Sequence, residues 1–112
     1  MPASSVPILT LTVVAAAALS EHQAVGYDGN VAGAGLTMQG VASYDAVTGD
    51  KVAVDVAGTA VAIAGAAVAV GADLEVNASG QLITQSAGVS VGRALQAASA
   101  AGDLFEIMLL PK

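Results

Sequence analysis

Apolar and polar side chains alternate with period two through much of this chain. Ile8, Thr10 and Thr12 stand against Leu9, Leu11 and Val13, and Val52, Val54 and Val56 stand against Lys51, Ala53 and Asp55. Near the C-terminus Phe105, Ile107 and Leu109 oppose Leu104, Met108 and Leu110 around Glu106. Alternation of this kind sends successive side chains to opposite faces of a strand. The segment beginning at Lys51 has one apolar and one mixed face, which predicts a half-exposed strand with Val54 in the core. The segment from 104 to 110 is apolar on both faces and is expected to be central, or covered by a neighbouring subunit. Residues 14–19 are ambiguous, because the alanine run 15–18 favours helix locally.

Turn signals punctuate the strands at intervals typical of all-β domains. YDGN at residues 27–30 puts Asp and Gly at the centre of a tight turn, and NASG at 77–80 supplies Asn first and Gly last. Val25 and Val31 flank Gly29 at the same offsets at which Val76 and Leu82 flank Gly80. Downstream follow GVASYDAVTGDKVAVDV from Gly40 and GRALQAASAAGDLFEIML from Gly92: each is Gly-x-Ala, small residues, Gly-Asp, then an alternating strand. Gly29 to Gly40 is 11 positions and Gly80 to Gly92 is 12, and the next steps, to Gly49 and Gly102, are 9 and 10. The spacing predicts two pseudo-repeated halves, about 19–58 and 68–110, too few units for a solenoid. The expected fold class is mainly β, a small β-barrel or β-clip-like domain with an extended N-terminal arm. Gly40, Gly49, Gly92 and Gly102 bound strands, where they permit positive φ or close chain approach.

Residues 1–12 hold Pro2 and Pro7 ahead of the alternating PILTLT, so they read as the arm, with residues 13–112 as the β-rich domain. The arm has no hairpin partner nearby in sequence. It is expected to be mobile in the free protein and to complete a sheet edge on another chain, making Val6, Pro7, Ile8, Leu9, Thr10 and Leu11 the candidate contact residues; the alternative is that Ile8 to Val13 pairs within its own subunit, as terminal strands often do.

Composition narrows the function classes. Hydrophobic residues are 55% of the 112, but aromatics only 3%, so the core is built of small side chains that bury little area each. Such a chain gains from association. Nine acidic residues against three basic ones give a net charge of −6, which excludes direct nucleic-acid binding by phosphate neutralisation. No cysteine is present, and His22, the single histidine, lies in the polar turn LSEHQAV without a nucleophile partner, so no catalytic constellation is expected. Asp28, Asn30, Asp45, Asp50 and Asp55 lack the spacing of a calcium loop and read as solvated turn residues. GAG at 33–35 opens no helix and precedes no Lys, so no cofactor site is expected. Residues 6–19 resemble a signal-peptide apolar region, but residues 1–5 carry no Lys or Arg, and cleavage is not expected. The uncharged stretch 56–72 contains Gly58, Gly65 and Gly71 and alternates as a strand, so no membrane partner is expected.

The order TLTV, QAVGYDGNV, GVASYDAVTGDKVAVDVAG, AVAVGADLEVNASGQLIT and VGRALQAASAAGDLFEIMLL resembles the small capsid cement proteins of tailed phages. The resemblance runs from about Leu9 to Leu110 and lies in the order and spacing of these blocks. In SVGRAL the family more often places an apolar residue at the position of Arg93. The resemblance implies a β-rich homotrimer made in the host cytoplasm and docked on the outer capsid surface, over junctions of the major capsid protein, stabilising the shell against DNA pressure. The alternative is a secreted or surface-exposed bacterial β-domain acting in adhesion.

Overall fold

The computed structural model describes residues 6–109, and every regular element among them is a strand: β1 (Pro7–Val14), β2 (Ala24–Val25), β3 (Gly40–Ala42), β4 (Lys51–Ile63), β5 (Asp73–Val76), β6 (Leu82–Thr84), β7 (Gly92–Ala94) and β8 (Leu104–Leu109). They form one antiparallel, nearly closed barrel-shaped sheet in the order β2-β3-β4-β8-β7-β5-β6, with β1 also pairing β4. The small β-rich fold class is therefore as the alternation predicts.

The long strand β4 organises the sheet. Its residues 51–57 pair with β1, with Leu11 opposite Val54 and Val13 opposite Val52. Its residues 59–63 pair with β8, with Ala60 opposite Ile107 and Ala62 opposite Phe105. Gly58 lies between, at φ 94°. A β-carbon there would stand 2.5 Å from the Val6 carbonyl oxygen, so only glycine admits the approach of β1.

The same set of pairings occurs on both sides of Gly58. Leu19 bridges Ala46 as Val68 bridges Ala98. β3 lies between β2 and β4 as β7 lies between β5 and β8. The Gly49 amide donates to Ala15 at 2.8 Å and the Gly102 amide to Ala64 at 2.7 Å, both glycines having positive φ. Gly40 and Gly92 are close-approach glycines: a β-carbon on the first would run into the Asp55 carbonyl, and on the second would stand 2.7 Å from the Met108 carbonyl oxygen. Even the side chains that serve free strand amides match. The Tyr44 hydroxyl accepts from the Ala53 amide at 3.2 Å, and the Gln96 carbonyl oxygen from the Glu106 amide at 3.0 Å.

Two apolar clusters fill the sheet. One gathers Ala15, Leu19, Val25, Ala42, Ala46, Val52, Val54 and Val56. The other, built around Phe105, Ile107, Leu74 and Leu82, also takes in Ala24, Ala32, Met38 and Val41 from before Gly58. Val54 is fully buried, as its alternation predicts. β8 is central, between β4 and β7, with Phe105, Ile107 and Leu109 buried inward. Leu110, read as part of its outer face, lies outside the described residues.

Three expectations change. The segment read as unpaired is strand β1, paired with its own chain, and the arm residues 1–5 lie outside the described residues. Its partner lies 45 residues away, at Thr10 and Asp55, beyond the reach of a hairpin argument. The alanines after Val14 form no helix; Ala15 is buried and its amide donates to Asp50 at 2.8 Å. Asp55 is no solvated turn residue: it lies within β4 and is buried, accepting the Thr10 hydroxyl at 3.0 Å and the Ser43 hydroxyl at 3.4 Å.

Candidate interaction surface

β1 departs from the other strands because both of its faces are largely uncovered, with only Val13 packed against the cluster around Val52 and Val54. Only Val13 is half-buried; the remaining residues from Pro7 to Val14 are exposed, as is Val6 before them. Ile8 is 80% exposed, Leu9 49% and Leu11 40%. No charged residue occurs between Val6 and Ser20. An apolar strand normally has one face on a core; one left open on both faces marks a surface that something else covers.

All six candidate contact residues fall on this strand or its approach, but they do not act alike. Val6 is tied down by Thr59: its amide donates to the Thr59 hydroxyl at 2.9 Å and its carbonyl accepts the Thr59 amide at 3.2 Å. Pro7 lies opposite Gly58. Thr10 turns its hydroxyl to Asp55 and so anchors β1 to β4. Ile8, Leu9 and Leu11 supply the open apolar area.

The fold adds residues that local sequence reading misses. Ile8 lines a shallow apolar recess of about 340 Å³ with Ala57, Gly58, Thr59, Met108 and Leu109. Through Met108 this surface continues onto the outer face of β8, where Met108 and Leu104 are about half exposed. The two-sided apolar pattern of residues 104–110 was the available signal for that face. It could not show that the face meets β1, because the meeting depends on both strands reaching the middle of β4.

Elsewhere the polar groups serve turns. Asp28 accepts the Asn30 amide and side chain, both at 3.1 Å, and these bonds hold its carboxyl below the usual range. Asp45 accepts the Glu21 amide at 2.7 Å, and Asp50 the Val47 amide at 3.1 Å. His22 has φ 69°, and its Nε2 lies 3.7 Å from Glu21. Among the described residues no group of three or more His, Asp or Glu side chains is gathered to hold a metal ion.

The family described as phage cement protein matches residues 4–109. No curated protein matches the chain. Among solved structures the chain is similar to the head fiber gp8.5 N base in bacteriophage phi29, with 20% identity and a TM-score of 0.77 over 91% of this chain and 93% of that one. At that identity the likeness is one of fold. The family match spans nearly the whole chain, so this protein belongs to the phage cement proteins, a family of structural, capsid-associated virion proteins and not of enzymes.

Proposed function

We propose that the protein docks on the outside of an assembled phage capsid through β1 and the adjoining recess, tying major capsid subunits together against the pressure of packaged DNA. The observation that carries this reading is β1 itself, an uncharged apolar strand exposed on both faces from Pro7 to Thr12 in an otherwise acidic chain. Full burial of a side chain such as Ile8 or Leu11 contributes about 1.5–3 kcal/mol. A few such residues per copy, repeated over a shell, add up to a large reinforcement. The acidic remainder discourages non-specific association. The outer face of β8 beyond the recess, at Leu104, is the surface for self-association into a homotrimer.

Binding to undecorated capsids tests the reading. Ile8→Asp alters an open position, so the free protein keeps its melting temperature while its binding weakens at least tenfold and decorated particles release DNA earlier on heating. Removing residues 1–7 acts in the same direction. Unchanged capsid binding by both variants would place the contact on another surface.

A further inference from the structure

The matched pairings on either side of Gly58 define equivalent positions. Leu11 opposite Val54 corresponds to Ala60 opposite Ile107, and Val13 opposite Val52 to Ala62 opposite Phe105. Likewise Ala24 opposite Val41 corresponds to Asp73 opposite Arg93. The chain is thus two copies of one unit: β1, β2, β3 and residues 51–57, then residues 59–63 with β5, β6, β7 and β8.

The two units differ in what covers them. Ala60 and Ala62 are buried in the cluster that also contains Ala24, Ala32, Met38 and Val41 of the first unit. Among the described residues no unit lies over their counterparts in the same way: Leu11 is exposed, and Val13 is half-buried against the first unit's own cluster around Val52 and Val54. The surface of a second molecule that could play the preceding unit has Asp73 and Arg93 where Ala24 and Val41 stand. Arg93 Nη2 lies 3.0 Å from Asp73 Oδ1 and Nη1 donates to the Gly71 carbonyl at 3.2 Å, with the two side chains 55% and 46% exposed. Covering Leu11 with that surface would strip water from a charged pair for little return.

We propose that the Asp73–Arg93 pair is a specificity device that stops the repeat from continuing between molecules, reserving the β1 face for a neutral apolar surface of the capsid subunit. A contact between one molecule's second unit and the next molecule's β1 is heterologous, and unless its rotation closes it builds open chains. Terminal units of repeat arrays carry polar outer faces for the same reason. The internal cover, Ala24, Ala32, Met38 and Val41, shows the chemistry that fits: small, apolar and uncharged. This inference rests on β1 being the docking face.

The test is Asp73→Ala combined with Arg93→Val, followed by sedimentation velocity over a range of concentrations. The native protein is expected to sediment as one discrete species whose size does not grow with concentration. The double variant forms a series of larger species that grows with concentration, and adding Leu11→Asp restores the native distribution. Sedimentation of the double variant like the native protein overturns the proposal, as do larger species that survive Leu11→Asp. Both replaced side chains are about half exposed, and circular dichroism checks the fold; should the double variant misfold, Arg93→Val alone carries the same expectation in weaker form. Loss of native capsid binding would remove the proposed function without changing this readout. Native capsid binding with no self-association in the double variant would remove this inference alone.

Discussion

Val41 and Arg93 occupy equivalent places in the two halves of the sheet, opposite Ala24 and Asp73 respectively, and only Val41 is buried. The same backbone position thus faces a core in one half and water in the other. Val41→Arg forces a guanidinium into a buried position of the cluster around Phe105, where its cross-strand neighbour Asp55 is already engaged by the Thr10 and Ser43 hydroxyls, and destabilises by more than about 2 kcal/mol. Arg93→Val removes an exposed ion pair and changes stability by about 1 kcal/mol at most. Urea unfolding of the two variants checks the contrast, and equal losses would show that the two positions share one environment.

Val54 and Asp55 are neighbours on β4, and both are buried, for different reasons. Val54→Asp puts an unpartnered carboxylate into the apolar cluster beside Val52 and costs more than about 2 kcal/mol. Asp55→Ala leaves the Thr10 hydroxyl without its acceptor and loosens β1 at a cost of about 1–3 kcal/mol. Asp55→Asn keeps an acceptor oxygen and is expected to cost less than Asp55→Ala. Amide exchange of β1 residues in the Asp55→Ala variant should quicken relative to β8. If β1 and β8 exchange in step, Asp55 does not anchor the strand.

Asp103 closes the turn into β8. Its Oδ2 accepts the Ser99 hydroxyl and amide, each at 3.0 Å, and the Ala100 amide at 3.2 Å, and these bonds hold its carboxyl below the usual range. A carboxyl lowered by folding contributes stability above its unfolded range and loses it as pH falls through the folded value. The melting temperature should therefore drop between about pH 5 and about pH 2, and Asp103→Ala should start lower at neutral pH and fall less steeply. Parallel pH profiles for the two proteins would contradict this role.

The sequence by itself determined the local structure. Alternation placed Val54 inward and set Phe105, Ile107 and Leu109 together on one face of a two-sided apolar strand, and the glycine pattern placed the turns at Gly29, Gly49, Gly80 and Gly102, all of which take positive φ. These features are legible because side-chain direction in a strand and φ at a turn depend on a few neighbouring residues. Tertiary structure alone decided the rest: that β1 pairs with β4, that Asp55 is buried between Thr10 and Ser43, and that Ile8 meets Met108 in one recess. Each of these joins residues far apart in the chain. Periodicity says which face of a strand is apolar, but the closure of the whole sheet determines which strand lies beside it and whether anything covers that face. For that reason the apolar pattern of PILTLT reads alike for a strand in a core and for one held open on a surface.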